Sequence, residues 1–229
     1  TAVNHPQGKN LIGTFYQPRL VLADVQTLTT LPQRELTSGW AEVIKHSLIL
    51  SPELFQFLED NADKLIRLDA DATTEAIRRS VAIKARVVSE DEKEQGKRTI
   101  LNYGHTIAHG LEAATHYQRL SHGEAVAIGM MGAGMLSHRM GLLPGEVVER
   151  SKELLTRFAL PTGCSEANLA DVLKAMELDK KVREKAVRWV LLTDIGQVTI
   201  CQDVHHNLVV EVAKDLLGIR TSTLEDLNP

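Results

Sequence analysis

Apolar positions recur at a spacing near 3.6 residues through most of the chain, which predicts a mainly α-helical fold with a few short strands. The run RLVLAD at residues 19–24 is of β type, and helical periodicity begins near Pro32 in LPQRELTSGWAEVIKHSLI. Ser51 as N-cap and Pro52 at the first helical position open the next helix, where Leu54, Leu58, Leu65 and Leu68 supply apolar faces around a break expected at Asn61. A further helix covers DATTEAIRRSVAIKARVVSEDE, with Ile77, Val81, Ala85 and Val88 on one face and Lys84 beside that stripe. Charged residues and Gly96 then interrupt the pattern, predicting a loop over residues 91–98.

A histidine-bearing helix follows, then the turn-rich HYQRLSHGE and the apolar helix AVAIGMMGAGMLSHRMG. Gly129, Gly132 and Gly134 within that helix predict close helix packing, not a phosphate loop. Helices are expected over residues 145–158, 166–176 and 207–217, and VRWVLLTDIGQVTIC supplies two strands around a glycine-containing turn. There is no internal repeat and no low-complexity segment.

Composition narrows the class. With 229 residues, 43% of them hydrophobic and only 4% aromatic, the chain suits a globule with an aliphatic core. A net charge of -4 provides no summed positive field for nucleic acid or an anionic membrane, so neither is an expected partner. Any anion must be held by local basic groups. The longest uncharged apolar run, residues 125–136, falls short of the roughly 20 residues a bilayer span needs. Cys164 and Cys201 are far apart with no CxxC spacing, so a reducing cytoplasm is expected. The opening TAVNHPQGKN carries no signal peptide and reads as a polar loop, and a segment upstream of it is expected.

Candidate chemistry concentrates between Thr99 and Gly129, where four histidines occur. His105 and His109 are one helical turn apart and project from one face, together with Asn102 and Glu112, while Arg98 stands at the head of the helix. Two nitrogen ligands at that spacing suit a divalent metal, and so much polarity in an apolar chain needs partners if buried. His122 in SHGE and Glu42 in GWAEVIKH lie in other segments. Two histidines and a carboxylate would leave open metal positions for a substrate, and spacing leaves His105, His109, His122, Glu42, Glu112 and Glu124 all in play. Lys9, Lys45, Lys84, Lys97 and Arg98 are the neighbouring bases that could meet a phosphate or carboxylate. The charge run DKKVREKAVR reads as a solvated loop from which a basic member could reach an anion.

KNLIGTFYQP, GWAEVIKHSLI, SEDEKEQGKRTILNYGHTIAHGLEA and LSHGEAVAIGMM, in this order, resemble the 3-dehydroquinate synthases, with a weaker continuation through DKK and VRWVLL. The resemblance implies a zinc- (or Co2+-) and NAD-dependent lyase of the shikimate pathway. Such an enzyme converts 3-deoxy-D-arabino-heptulosonate 7-phosphate into 3-dehydroquinate and phosphate. Carried over by motif, it implies Glu42, His105 and His122 as metal ligands, overruling the His105/His109 pair. Lys45, Lys84 and Arg98 would be catalytic, meeting the substrate's hydroxyls and carboxylate; Asn102 and His109 would lie near its phosphate, and Asn10 would also line the site. It also implies a homodimer, and a reaction in which the leaving phosphate itself can take the proton.

Family members carry an N-terminal NAD-binding domain, but no glycine-rich strand-to-helix loop occurs in this sequence. Residues 1–30 are therefore read as a junction with that domain, and residues 31–229 as the helical metal- and substrate-binding domain, the C-terminal part of a two-domain α/β plus α enzyme. On that reading, activity of the chain by itself is open. Three alternatives stand beside it: another sugar-phosphate cyclase, an iron-dependent alcohol or glycerol dehydrogenase, and a non-catalytic helical binding domain. Lys84, Arg98 and Asn102 argue against the dehydrogenase.

Overall fold

The computed structural model describes residues 2–5, 8–14, 16, 19–93, 96–182 and 188–219, with residues 2, 4, 8–10 and 177–182 described by their backbone alone. Eight helices and two small hairpins occur among them: β1 (Ala2–His5), β2 (Gly8–Gly13), α1 (Gln33–Leu50), α2 (Pro52–Ile66), α3 (Ala70–Glu90), α4 (His105–Ala114), α5 (His122–Arg139), α6 (Gly145–Arg157), α7 (Leu169–Val182), β3 (Trp189–Asp194), β4 (Gln197–Cys201) and α8 (His206–Leu216). Short 3-10 turns cover Val25–Thr30 and Lys97–Asn102.

The core is organised around α5, a helix apolar on nearly all sides and buried from Ala125 to Gly134. Helices α1, α4, α6 and α8 and strand β3 pack around it. Its glycines make this possible. A Cβ on Gly129 would sit 2.0 Å from the carbonyl oxygen of Gly104, and one on Gly132 would sit 2.4 Å from Ile107 Cδ1. Gly134 meets only the Tyr103 hydroxyl, at an ordinary 3.5 Å. The expected close packing is thus real at the first two glycines and absent at the third.

Sequence signals at the helix starts hold. The Ser51 hydroxyl accepts from Leu54 N–H with Pro52 following, and Ser121 and Glu124 form a reciprocal capping box at the start of α5. The β3–β4 hairpin also forms, pairing Trp189 with Cys201 and Leu191 with Thr199. Ser137 Oγ accepts from Leu192 N–H and ties β3 to α5, while Gly196 N–H donates to the Leu48 carbonyl and ties the turn to α1.

Four expectations fail. No break occurs at Asn61, because α2 runs through it and the Asn61 amide donates to the Phe57 carbonyl one turn back. Residues 19–24 form no strand among the described residues; Leu20, Val21 and Leu22 have no regular structure and are 80%, 70% and 86% exposed, with no described sheet edge paired to them. The supposed N-terminal loop is instead an antiparallel hairpin, with Val3 opposite Ile12. Helix α3 buries Ala72, Thr73, Ala76, Ser80, Ile83 and Val87, leaving Val81 exposed, so the face drawn through Ile77 and Val81 is displaced around the helix. Small residues let α3 lie close to its neighbours, and Ser80 is buried there because it finds a histidine partner.

Candidate metal centre and anion cleft

Three helices bring one side chain each to a single point. Glu42 lies in the middle of α1, His105 is the first residue of α4, and His122 is the first residue of α5. Gly104, at φ +80°, turns the chain into α4 in a left-handed conformation that a β-carbon would disfavour, and a Cβ there would also meet Met130 N at 2.7 Å. His105 Nε2 and His122 Nε2 each stand 3.8 Å from Glu42 Oε1, and the three candidate ligand atoms all lie within 4.8 Å of one another.

The far side of each group is already occupied. His105 Nδ1 donates to the Tyr103 carbonyl at 3.2 Å, and His122 Nδ1 donates to Glu112 Oε1 at 3.1 Å. Lys45 Nζ donates to Glu42 Oε2 at 2.6 Å. With Nδ1 carrying the donated proton, each imidazole in its neutral form turns an Nε2 lone pair toward Glu42 Oε1, itself a buried oxygen with no hydrogen-bond partner. The Glu42 side chain is about a third exposed, but not at this oxygen. Three lone-pair donors converging without a proton between them repel one another unless a cation sits there. A tetrahedral ion bonded at about 2.1 Å needs donor atoms on the order of 3.4 Å apart, close to the separations found. The residues present fit a divalent metal with N/O ligands.

Burial and neighbouring charge set the protonation. Burial raises the Glu42 carboxyl, but the Lys45 ammonium outweighs it and, with His105 and His46, holds Glu42 below its ordinary value. Burial pushes His105 down to about 4, helped by Lys45 and opposed by Glu42, so the ring is neutral at physiological pH and free to offer a lone pair. Burial, with Lys84 nearby, also holds the Lys45 amine below its ordinary value, an effect its pairing with Glu42 only partly opposes.

A cleft of about 330 Å³ opens beside the three groups, lined also by Lys45, His46, Lys84, Arg98, Leu101 and Asn102. Of the nine site residues that the family resemblance implies, seven line it: Glu42, Lys45, Lys84, Arg98, Asn102, His105 and His122. His109 does not; its ring stacks edge-on against His105, with centroids 5.6 Å apart. The Asn10 side chain, and those of the DKK run from Asp179 to Lys181, lie outside the described residues. Lys97 is drawn away to Glu90.

Sequence reasoning missed His46, which is 4% exposed, lines the cleft and is hydrogen-bonded through Nδ1 to Ser80 Oγ at 2.8 Å. Its spacing of one helical turn from Glu42 was the available signal. Glu124 is not a ligand candidate here, since Arg34 binds both of its oxygens, at 3.1 and 2.7 Å.

The chain has relatives among known proteins. A family model described as "3-dehydroquinate synthase C-terminal" matches residues 39–182, and one described as "3-dehydroquinate synthase N-terminal" matches residues 1–38. The chain is 50% identical over 214 residues to the 3-dehydroquinate synthase of Microcystis aeruginosa, covering 93% of this chain and 58% of that protein. It is 48% identical over 203 residues to that of Acinetobacter baumannii, covering 89% and 56%. The chain thus spans less than two thirds of the length of these relatives. Among solved structures, 2-epi-5-epi-valiolone synthase from Streptomyces hygroscopicus subsp. jinggangensis 5008, with NAD+ and Zn2+ bound, aligns with a TM-score of 0.85 and 28% identity over 95% of this chain and 61% of that one. A 2-deoxy-scyllo-inosose synthase complexed with carbaglucose-6-phosphate, NAD+ and Co2+ aligns with a TM-score of 0.78 and 30% identity over 94% and 62%.

Proposed function

The chain belongs to the 3-dehydroquinate synthase family, and from that premise we propose that it forms the metal- and substrate-binding part of an enzyme that converts 3-deoxy-D-arabino-heptulosonate 7-phosphate into 3-dehydroquinate and phosphate. The observation that carries the reading is the convergence of Glu42, His105 and His122 on one wall of a cleft whose other walls bear Lys45, Lys84, Arg98 and Asn102. A divalent ion held by the first three would supply Lewis acidity at a substrate oxygen. Lys84 and Arg98 bind the substrate's carboxylate and hydroxyls by charge-assisted hydrogen bonds, while Lys45, tied to Glu42, presents a buried cation to the same cleft. Asn102, which lines the cleft, receives the phosphate; His109, behind it against His105, and Asn10 are assigned to that group by the family motif alone. With that group and the carboxylate held at opposite ends, the open-chain intermediate is kept folded for ring closure, which is a matter of orientation more than of a dedicated protein base.

NAD+, named with both solved relatives, has no fitting loop here: no strand, glycine-rich turn and helix follow one another among the described residues. No hydride step is therefore assigned to these residues. We divide the chain into a junction, residues 1–30, and a helical unit, residues 31–229. The exposed apolar positions of the first part and the core that begins at Trp40 support this division. A homodimer and a cytoplasmic location belong to the same reading; among the described residues no helix is long and apolar enough to cross a membrane. The near-50% identity to 3-dehydroquinate synthases, against 28–30% to the other two cyclases, favours this substrate over theirs.

The test is bound metal in chelator-free protein, by elemental analysis of wild type, His122→Ala and His109→Ala. About one zinc per chain is expected in wild type and His109→Ala, and loss in His122→Ala. Metal lost in His109→Ala and kept in His122→Ala would overturn the ligand assignment. Titration of the zinc-loaded chain with the substrate then tests the cleft: weaker binding is expected for Lys84→Ala and Arg98→Ala, and unchanged binding would count against it.

A further inference from the structure

Of the three converging groups, His122 is the least held by packing. Its side chain is 48% exposed, against 15% for His105 and 33% for Glu42. An imidazole that free has several rotamers and two tautomers, and only one combination turns an Nε2 lone pair toward Glu42 and His105. Its backbone is fixed from outside the cleft. The Ser121–Glu124 capping box closes the first turn of α5, Arg34 clamps Glu124 to α1, and Gly123 N–H donates to Ser38 Oγ at 3.0 Å. None of these contacts reaches the ring.

Glu112 does reach it. Its side chain is 7% exposed, on the last full turn of α4, and its Oε1 accepts from His122 Nδ1 at 3.1 Å. A carboxylate in that place requires a proton on Nδ1, so of the two neutral tautomers it selects the one whose Nε2 is bare. Because α4 also carries His105, a single ten-residue helix bears one proposed ligand at its start and, two turns on, the group that aims the other. We infer that Glu112 is the positioning residue of the metal site, setting the tautomer and orientation of His122 without touching the ion or the substrate. The inference rests on the metal reading above and extends it to a residue outside the cleft. Outer-sphere partners of this kind typically change metal affinity by roughly 10–100-fold.

The test is the zinc dissociation constant of the full chain, measured by competition with a chromophoric chelator, for wild type, Glu112→Ala and Glu112→Gln. The urea midpoint of each metal-free protein is measured alongside. Glu112→Ala is expected to weaken zinc binding by about 10–100-fold. Glu112→Gln keeps the shape, so it guards against simple misfolding. Its amide can either accept from Nδ1 or flip and donate to it, and the second arrangement puts the proton on Nε2, so a smaller but clear loss is expected. A merely structural role predicts a lowered urea midpoint with unchanged zinc affinity in the folded variants, and that result overturns the inference while leaving the metal reading intact. Failure of wild type to take up zinc at all overturns both.

Discussion

Replacing Gly129 by alanine tests the contact on which the whole site is hung. The added Cβ would lie 2.0 Å from the Gly104 carbonyl oxygen, 2.9 Å from its carbon and 3.1 Å from Ala108 N, all backbone atoms of the segment that starts α4. No side chain can rotate to make room, so α4 and α5 must separate by on the order of 1 Å, an overpacking that costs about 3 kcal/mol at the upper end of the usual range. Alanine's better helix propensity offsets at most about 1 kcal/mol, leaving a net loss of about 2 kcal/mol. In a chain of this size that corresponds to a fall in Tm of about 4–8 °C. Gly134→Ala is the internal control on the same helix: its Cβ meets only the Tyr103 hydroxyl at 3.5 Å, so the variant should be neutral or up to about 1 kcal/mol more stable. Urea and thermal unfolding of the metal-free proteins, followed by circular dichroism, give both numbers. Because Gly104 immediately precedes His105, Gly129→Ala should also weaken zinc binding. A Gly129→Ala protein as stable as wild type, or an equal loss in Gly134→Ala, would refute the close-crossing argument.

Three smaller outcomes follow from the same geometry. Burial, with Lys45 and Lys84 beside it and Glu42 opposing, depresses folded His46 to about 4 from 6.5, so its contribution to the stability of the metal-free protein is complete above pH 6.5 and lost as pH falls toward 4; this histidine alone accounts for a loss of about 2 kcal/mol at pH 5, to which the similarly depressed His105 adds its own, and His46→Gln should remove its share of the shift in urea midpoint. Ser121→Ala removes the N-cap of α5 and should cost about 1 kcal/mol in chemical unfolding, with Ser121→Thr largely restoring it. Arg34→Ala breaks a bidentate pair with Glu124, but Arg34 is half exposed and screened by solvent, so the urea midpoint should fall only slightly and the fall should shrink in high salt.

What could be read in the sequence divides along physical lines. Helix starts were legible because they are local: Ser51 before Pro52, and Ser121 three residues before Glu124, satisfy backbone N–H groups within one turn. The buried face of α3 was misread because Ser80 and Ala76, not Val81, pack inward, a choice made by partners in other helices. Residues 19–24 have β composition yet no strand, because a strand exists only with an edge to pair with. The site shows the same division. Helical period joins His105 to His109, whereas the structure gathers Glu42, His105 and His122 from three helices, an encounter that family motifs suggested and spacing did not. Glu112 was visible in the sequence only as a candidate ligand and His46 only as a neighbour of Glu42; the part each plays needed coordinates, since it is a hydrogen bond to a residue on another helix.

The charge in the cleft narrows what can occupy it. Its lining holds three cations, Lys45, Lys84 and Arg98, against one carboxylate, Glu42, a surplus of two positive charges in a chain whose net charge is -4. A divalent ion would raise that surplus to four. Like charges this close are tolerated only when a counter-charge arrives or solvent screens them, and Lys45, 3% exposed, has little solvent of its own. A small neutral alcohol, as a glycerol-dehydrogenase-like enzyme would bind, leaves the imbalance in place. A substrate bearing a carboxylate and a phosphate removes most of it and gains charge-assisted hydrogen bonds at both ends. Affinity for such a substrate should therefore fall steeply with ionic strength, while affinity for a neutral polyol of the same length should be weak and nearly independent of salt. If the zinc-loaded chain bound both alike in low and high salt, the cations would be surface charges that happen to line a cleft, and the anionic-substrate reading would lose its physical basis.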